Sequence, residues 1–262
     1  MSAMRFSDRV AVITGGGGGI GRAISLNLGR EGATVVAADI DPQAAEETAR
    51  LVIRDGGQAL AIEVDITRKQ SVQALVAEVL RAYGKVDILV NNAGIDIKGA
   101  VVDLEESSWD KILDINLKGM FLVTQAVLPF MIAIRYGRIV NMSSMLGRTG
   151  KAYSSPYCAS KFGVIGFSQA VALEVGKFRI TVNVVCPGPV DTEMIRQSIA
   201  QSAQLQGVTC EEFLQTYFIN QTPLGRIAKP TDVAHAVVFL ASDEAAFITG
   251  SALNVSGGRE MH

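Results

Sequence analysis

Residues 10–21, VAVITGGGGGIG, decide the fold. The run Val10 to Ile13 is apolar and β-branched, which predicts a short buried strand. The glycines follow this strand directly and lead into a helical pattern that starts near Arg22. A flexible linker is not expected between a strand and its crossover helix, so these residues predict the first unit of an open parallel sheet.

The rest of the chain repeats this alternation of strand and helix. Further β-branched runs predict strands at residues 33–38, 60–64, 88–90, 138–141, 181–185 and 252–255. Helical periodicity predicts helices at residues 43–54, 70–82, 109–131, 157–177 and 231–241. Strands that are apolar on both faces are typical of covered parallel sheets, so we expect an α/β fold. This fold is a doubly wound parallel sheet of about seven strands with helices on both faces.

One stretch departs from this pattern. No proline-rich or low-complexity linker divides the chain, so we expect a single catalytic domain over residues 1–262. Residues 189–221 interrupt the alternation with polar helix formers. A lid over a ligand site is the favoured interpretation of this insertion, and a helical decoration without a role at the site is the alternative.

Charge and composition argue against several classes of protein. A net charge of -2 provides no basic stripe for a nucleic acid. No apolar run approaches the roughly 18 residues needed to span a bilayer, and the start of the chain lacks the apolar region of a secretory signal. We therefore expect no nucleic-acid partner, no membrane association and a cytoplasmic location.

Cysteine and histidine residues are sparse. Cys158, Cys186 and Cys210 have no C-x-x-C spacing and suggest neither a disulfide framework nor a zinc site. His235 and His262 have no partner at metal-ligand spacing. We expect a reducing compartment and no metal.

The glycine run is a candidate phosphate-binding turn. Glycines let the backbone approach a pyrophosphate, and the free N–H groups of the following helix stabilise its charge. Asp39 ends the second strand 18 residues after Gly21, close to the spacing of roughly 20 expected for a carboxylate that binds an adenosine ribose. This carboxylate repels a 2′-phosphate, and neither Gly18 nor Ile40 is basic, so NAD is favoured over NADP. A strand-end residue without a ligand role is the alternative for Asp39.

A second group of residues lies in the C-terminal half. Tyr157 and Lys161 are four residues apart at the start of a predicted helix and share one face. An ammonium group beside a phenol favours the phenolate, which suits a residue that transfers protons. Ser144 and residues 91–94, NNAG, each follow a strand, and ligands of open α/β sheets bind beyond the carboxyl ends of strands.

Together these motifs resemble the short-chain dehydrogenase/reductase family over nearly the whole chain. The matching segments are TGGGGGIG at 14–21, Asp65 in VDIT, NNAG at 91–94, Asn116 in DINLKG, Ser144, YCASK at 157–161 and CPGPVDT at 186–192. The resemblance implies a Rossmann-like fold and reversible hydride transfer between NAD(H) and a small-molecule secondary alcohol or ketone. It also implies a homotetramer in which the helices at 109–131 and 157–177 pair across one interface.

The same resemblance implies roles for individual residues. Ser144 orients the reacting oxygen, and Tyr157 is the general acid or base. Lys161 holds the nicotinamide ribose and lowers the tyrosine pKa, and Asn116 helps to order a proton-relay water. The expected cofactor-binding residues are Gly15, Gly18, Gly19, Ile20, Gly21, Asp39, Ile40, Asp65, Ile66, Asn92, Ala93, Gly94, Tyr157, Lys161, Pro187, Gly188, Val190 and Thr192. The expected substrate-contacting residues are Asp96, Ser144, Met145, Arg148, Lys151, Tyr153 and Met194.

The substrate itself stays open at this point. Arg148 and Lys151 are candidates for holding a phosphate, a carboxylate or a CoA tail, and ordinary solvated charges are the alternative. Several segments resemble alicyclic hydroxyacyl-CoA dehydrogenases, while polyol dehydrogenases and 3-oxoacyl-thioester reductases share much of the pattern. A nucleotide-binding regulatory or scaffold protein without turnover is the alternative from a different class.

Overall fold

The structure, a computed structural model, describes residues 4–261, apart from the side chain of Leu205. Its centre is one parallel sheet with the strand order β3-β2-β1-β4-β5-β6-β7. The strands are β1 (Val10–Thr14), β2 (Thr34–Asp39), β3 (Gln58–Glu63), β4 (Ile88–Asn91), β5 (Gly137–Met142), β6 (Ile180–Pro187) and β7 (Ala252–Val255). The predicted doubly wound parallel sheet is confirmed. His262 and residues 1–3, which belong to the predicted domain, lie outside the described residues.

Helices cover both faces of this sheet. They are α1 (Gly19–Arg30), α2 (Pro42–Arg54), α3 (Lys69–Tyr83), α4 (Glu106–Leu113), α5 (Met120–Ile134), α6 (Ser155–Val175), α7 (Glu193–Gln206), α8 (Cys210–Leu214) and α9 (Pro230–Ala241). Two π-helical segments belong to the same series. Asp114–Gly119 joins α4 to α5, and Gln215–Ile219 follows α8.

The core lies in two layers, one on each face of the sheet. Every residue of β1, β4, β5 and β6 is buried. On one face α1 packs against α9, where Ile24 and Val237 are fully buried. On the other face α3 and α5 contribute Val79 and Val127, which are also fully buried. Each such side chain stabilises the fold by about 1.5–3 kcal/mol relative to an exposed position.

The strand order reverses at β1. This strand pairs with β2 on one side and with β4 on the other, so that Thr14 lies between Ala38 and Asn91. The connections after β1 and β4 therefore run away from each other, and a crevice opens beyond the carboxyl ends of these two strands. The glycine turn at 15–18 and the loop that starts at Asn92 border this crevice.

Two regions differ in detail from the sequence expectations. The helix predicted at 109–131 begins at Glu106, ends at Ile134 and contains the first π segment. The insertion at 189–221 folds into α7, α8 and the second π segment. A π turn adds one residue to a helical turn, and tertiary contacts rather than periodicity decide where it occurs. The lid function of the insertion stays a prediction.

The helix that spans residues 106–134 is long and apolar enough to cross a membrane, with a mean hydropathy of 1.8 in its most apolar window. In this fold its inner face packs on the sheet, where Val123 and Met131 are fully buried. Its outer face carries Phe121 and Phe130, each 39% exposed. A helix with one buried face is typical of a protein core, and its outer face remains an exposed apolar surface.

Candidate active site

The predicted functional residues gather at one edge of the sheet. Because all strands are parallel, the carboxyl ends of β1, β4, β5 and β6 lie together. These ends lead into the glycine turn, the NNAG loop, Ser144 and residues 188–192. The fold thus joins segments that are far apart in the sequence into a single candidate site.

The glycine turn is closely packed at Gly15 and Gly21 and open at Gly18, where it meets α1. Gly15 has a φ of 62°, in the left-handed region that glycine adopts readily. A Cβ atom on Gly21 would lie 2.0 Å from the carbonyl oxygen of Gly15. A Cβ atom on Gly18 would have no atom within 4 Å. An open glycine backbone at the start of a helix fits a pyrophosphate group.

Asn92 braces this turn from the neighbouring strand. Its Nδ2 donates hydrogen bonds to the carbonyl oxygens of Thr14 at 3.1 Å and Gly15 at 3.0 Å. The backbone N–H groups of Asn92 and Ala93 donate to Thr14 Oγ1 at 3.1 Å and 3.3 Å. The side chain of Asn92 therefore fixes the turn, a structural role in addition to the predicted proximity to a cofactor ribose.

Asp39 lies at the end of β2, beside the glycine turn. Its Oδ2 accepts a hydrogen bond from the Gly17 N–H at 2.8 Å, and its Oδ1 accepts one from the Asp41 N–H at 3.1 Å. Each carboxylate oxygen has a second lone pair that can accept from a further donor. Ile40 is 67% exposed beside it. The geometry fits a carboxylate that receives ribose hydroxyls.

The predicted adenine contacts follow β3. Asp65 Oδ1 accepts hydrogen bonds from the N–H of Thr67 at 2.9 Å and from its Oγ1 at 2.6 Å. Ile66 is only 8% exposed, and a Cβ atom on Gly119 would come within 2.7 Å of its Cδ1 atom. The Ile66 side chain therefore packs against the long helix that contains the first π segment.

Tyr157 and Lys161 lie in the first turns of α6. Lys161 Nζ is 5.6 Å from the centre of the Tyr157 ring and donates to the carbonyl oxygen of Met142 at 2.9 Å. Burial raises the pKa of Tyr157 to about 12, and a hydrogen bond with the Ser144 side chain opposes this shift. Burial also lowers the pKa of Lys161 to about 8. In the protein alone, burial rather than the Lys161 charge is the main influence on the Tyr157 phenol.

Asn116 lies in the first π segment and holds the NNAG loop. Its Oδ1 accepts from the Ile95 N–H at 2.8 Å, and its Nδ2 donates to the Ile95 carbonyl oxygen at 2.9 Å. A Cβ atom on Gly94 would lie 3.2 Å from Asn116 Oδ1 and 3.4 Å from Lys161 Nζ. The glycine at this position therefore lets the loop approach both side chains closely.

The segment after β6 borders the site on the side of α7. The Gly188 N–H donates to the carbonyl oxygen of Val255 at 3.0 Å, which fixes the segment to β7. Val190 is buried. Thr192 is the N-cap of α7, and its Cγ2 atom would lie 3.4 Å from a Cβ atom on Gly19. The beginning of the insertion therefore faces the glycine turn.

Three of the predicted substrate residues, Asp96, Lys151 and Tyr153, lie in the loops that follow β4 and precede α6. Asp96 is half-buried, and its buried Oδ1 has no hydrogen-bond partner among residues 4–261. Burial raises the pKa of Asp96, while the charges of Lys98, Lys151 and Lys161 oppose the shift. Tyr153 is 66% exposed and has a φ of 65°, a strained backbone conformation for a residue with a side chain.

The other predicted substrate residues have different surroundings. Met145 begins the short 3₁₀ turn after Ser144, and Met194, in α7, is 46% exposed. The Arg148 guanidinium donates to the carbonyl oxygen of Ala252 in β7 and hydrogen bonds with the Cys186 thiol. Arg148 is therefore engaged with the strands at the sheet edge, unlike Lys151.

Sequence reasoning missed three residues near Lys151. Lys151 Nζ lies 5.8 Å from the centre of the Phe218 ring, and Arg259 Cζ lies 5.3 Å from the same centre. Lys98 donates a hydrogen bond to Ser198 in α7. No sequence spacing relates positions this far apart, so only the fold brings them together.

Comparisons with known proteins agree with this fold. The short chain dehydrogenase family model matches residues 9–203. The chain is 38% identical to (2S)-[(R)-hydroxy(phenyl)methyl]succinyl-CoA dehydrogenase subunit BbsD of Thauera aromatica, over 98% of this chain and 99% of that protein. It is 37% identical to the 3-oxoacyl-[acyl-carrier-protein] reductase FabG of Thermotoga maritima, over 97% of this chain and 99% of the relative.

A solved structure has the same fold over nearly the whole chain. The crystal structure of levodione reductase has a TM-score of 0.93 and 32% sequence identity, and the match covers 97% of this chain and 98% of that chain. These relatives are named as dehydrogenases and reductases, and they give no support to a scaffold without turnover. The chain therefore belongs to the short-chain dehydrogenase/reductase family and is an oxidoreductase that transfers hydride between a nicotinamide cofactor and a secondary alcohol or ketone.

Proposed function

We propose that the protein is an NAD(H)-dependent alcohol dehydrogenase and ketone reductase in which Asn116, Ser144, Tyr157 and Lys161 form the catalytic group. One observation carries this proposal. Tyr157 is partly buried and Lys161 is buried. They are hydrogen bonded to Ser144 and Met142 respectively and lie at the same sheet edge as the open glycine turn.

Tyr157 transfers the proton. In reduction, its hydroxyl donates a proton to the carbonyl oxygen while the ketone carbon receives hydride, and in oxidation the phenolate takes the proton of the alcohol. Burial raises the pKa of this phenol to about 12, so the acid form is available at neutral pH. Ser144, which is hydrogen bonded to Tyr157, donates to the same substrate oxygen and orients it. When bound, the nicotinamide ring supplies or accepts the hydride.

Lys161 and Asn116 support this transfer. The Lys161 ammonium group lies 5.6 Å from the centre of the Tyr157 ring and stabilises the phenolate once the proton has left. Asn116 holds the backbone of Ile95 through hydrogen bonds of 2.8 Å and 2.9 Å, which fixes the loop beside Lys161. Ordering a proton-relay water is the further role that we assign to Asn116.

The residues at the crevice fit a dinucleotide. The open backbone at Gly18 and the N-terminus of α1 suit the pyrophosphate, and Asp39 suits the adenosine ribose. The residues proposed to hold the cofactor are Gly15, Gly18, Gly19, Ile20, Gly21, Asp39, Ile40, Asp65, Ile66, Asn92, Ala93, Gly94, Tyr157, Lys161, Pro187, Gly188, Val190 and Thr192.

We propose NAD rather than NADP as the preferred cofactor. A 2′-phosphate would be repelled by the Asp39 carboxylate, and Ile40 beside it offers no positive charge. Arg22 is engaged elsewhere, because its Nε donates to Thr48 Oγ1 at 3.0 Å and its terminal nitrogen donates to the Gly17 carbonyl oxygen. The site therefore lacks a free cation for a 2′-phosphate among these residues.

The substrate is a secondary alcohol or ketone, for which cyclic hydroxyacyl-CoA compounds, polyols and 3-oxoacyl thioesters are the candidate classes. The names of the bacterial relatives favour acyl compounds, since one is a [hydroxy(phenyl)methyl]succinyl-CoA dehydrogenase subunit and another a 3-oxoacyl-[acyl-carrier-protein] reductase. Asp96, Ser144, Met145, Lys151, Tyr153 and Met194 are the proposed contacts. The insertion at 189–221 is the proposed lid.

A homotetramer in the cytoplasm completes the proposal. Exposed apolar residues on neighbouring long helices, Phe121, Phe130 and Leu173, support an interface between copies of the chain. The three cysteines are free, which suits a reducing compartment. Sedimentation equilibrium tests the assembly, and a monomer at micromolar concentration would contradict it.

The direct test of the proposed function follows NADH absorbance. Purified protein is incubated with NAD and a panel of hydroxyacyl-CoA thioesters, polyols and cyclic secondary alcohols, and with NADH and the matching ketones. We expect reversible turnover of at least one class, and higher kcat/KM with NAD than with NADP. Tight NAD binding without turnover of any class would overturn the proposal.

A further inference from the structure

Three positive charges and one aromatic ring meet beside the active site. Lys98 lies in the loop after β4, Lys151 precedes α6, Phe218 lies in the second π segment, and Arg259 lies near the C-terminus. Lys151 Nζ and Arg259 Cζ lie 5.8 Å and 5.3 Å from the centre of the Phe218 ring. We call these four residues the cationic cluster.

The charge of the cationic cluster is not neutralised by ion pairs. No carboxylate within residues 4–261 lies within 4.0 Å of its side-chain nitrogens. Its polar contacts are to neutral groups instead. Arg259 donates to the side-chain oxygen of Gln221 at 2.8 Å, and Lys98 donates to the hydroxyl group of Ser198.

The charges of Lys98 and Arg259 act on Lys151. Reduced hydration of its ammonium group, followed by the like charges of Lys98 and Arg259, lowers the pKa of Lys151. An anion bound among like charges relieves their repulsion and forms charge-assisted hydrogen bonds. The cationic cluster is therefore suited to a ligand that brings a negative charge.

Asp96 and a backbone contact connect the cationic cluster with Tyr157 and Lys161. The charge of Asp96 acts on Lys151 and also on Tyr157 and Lys161. Asp96 forms no ion pair with the cluster. The backbone joins the same regions, since the N–H of Gly99, next to Lys98, donates to the carbonyl oxygen of Tyr153 at 3.0 Å. The cationic cluster therefore adjoins the segment that leads into Tyr157.

We propose that the cationic cluster binds an anionic group, a carboxylate or a phosphate, of the substrate. This inference rests on the proposed function and narrows its substrate class to anionic alcohols and ketones. Phe218 is only 6% exposed, so its ring positions Lys151 and Arg259 rather than contacting the ligand. Lys98 and Arg259 contact α7 and residues 217–221, so the anion would join the loop after β4 to the insertion.

The test uses two pairs of ketones that differ in charge. In the first pair, acetoacetate carries a carboxylate that its ethyl ester lacks. In the second pair, acetoacetyl-CoA carries phosphates that acetoacetyl-N-acetylcysteamine lacks. We would measure kcat/KM with NADH for wild type and for the double variant Lys98→Gln/Lys151→Gln. The matched control is Arg50→Gln/Arg81→Gln, which removes two exposed cations in α2 and α3, away from the site and from the proposed interface helices.

We expect the double variant to lose about tenfold in kcat/KM for the charged member of one pair and less than about twofold for its neutral member. The control should retain wild-type values. The affected pair identifies the source of the anion, either a carboxylate close to the ketone or the remote phosphates. Unchanged ratios of charged to neutral kcat/KM in both pairs would overturn the inference and leave the proposed function intact.

Absence of turnover with all four ketones would count against the proposed function and not against the anion site. A binding experiment tests the anion site in that case. Isothermal titration calorimetry of NADH-loaded protein with acetoacetate and with CoA gives dissociation constants independent of catalysis. The double variant should bind one of these anions about tenfold more weakly than the control. Equal constants for wild type and the double variant would overturn the inference.

Discussion

The ammonium nitrogen of Lys161 lies 5.6 Å from the centre of the Tyr157 ring. Lys161 is buried and Tyr157 partly buried, and this burial moves their pKa values towards the neutral forms, to about 12 for Tyr157 and about 8 for Lys161. When the tyrosine gives up its proton, the charge of the lysine becomes the nearest compensation on the same helix. The two side chains therefore act as one proton-transfer unit, which can lose the phenol proton of Tyr157 and one ammonium proton of Lys161.

Reduction and oxidation should depend on pH in opposite senses. Reduction needs both protons on the pair, and the first proton leaves near the lower pKa, about 8 at Lys161. The kcat/KM of reduction should therefore fall as the pH rises through about 8. The kcat/KM of oxidation should rise, because the pair must have lost one proton before it can accept the proton of the alcohol. NADH absorbance between roughly pH 7 and pH 9.5 measures both profiles.

The variant Lys161→Met provides the control for this pH dependence. It removes the group with the lower pKa and leaves Tyr157, whose pKa of about 12 lies above the measured range. We expect flat profiles for the residual activity at saturating cofactor. Flat profiles in wild type, or unchanged profiles in the variant, would contradict the assignment.

Replacement of Asp39 by Asn should narrow the preference for NAD over NADP by about tenfold, because the charge that repels a 2′-phosphate is lost. The Asn side-chain oxygen can still accept the hydrogen bond that Gly17 donates to Asp39 at 2.8 Å. The measurement is the ratio of kcat/KM for the two cofactors. Asp41→Asn, two residues away at the N-cap of α2, is the matched control and should keep the wild-type ratio. A wild-type preference for NADP would show that the interpretation of Asp39 is wrong.

Replacement of Gly21 by Ala should destabilise the fold by about 1–3 kcal/mol, the usual cost of an overpacked position. The new Cβ atom would lie 2.0 Å from the Gly15 carbonyl oxygen, so the turn must move and NAD binding should weaken. Gly150→Ala is the control, because its Cβ atom would also meet no atom within 4 Å and Gly150 is not among the proposed cofactor residues. Thermal unfolding and titration with NAD measure both effects. Equal losses in the two variants would argue against a turn held by this contact.

The sheet could be predicted from sequence because its pattern is local. The alternation of β-branched runs and helical periods placed all seven strands, and β7 at 252–255 was predicted with its observed bounds. The position of Asn116 in a π turn could not be predicted in this way. Its geometry depends on Ile95 and Gly94, which the fold brings close from another strand.

Motifs with fixed spacing made the candidate catalytic group visible in the sequence, but the cationic cluster has no such spacing. The sequence predicts Lys151 and Arg148 together as anion contacts. The structure instead places Lys151 with Lys98 and Arg259. Arg148 instead contacts Ala252 at the sheet edge. Long-range contacts of this kind depend on how loops fold over the sheet, which no local pattern encodes.

The variant Tyr157→Phe tests the central claim most directly, because it removes one hydroxyl group and keeps the ring. Turnover of any accepted alcohol should fall by about 10³-fold or more, while the dissociation constant of NAD stays within about twofold of wild type. Tyr83→Phe, at the end of α3, is the control and should behave as wild type. Loss of turnover with intact NAD binding is the result that we predict. Near-normal turnover by Tyr157→Phe would contradict the assignment of Tyr157 as the proton-transfer residue.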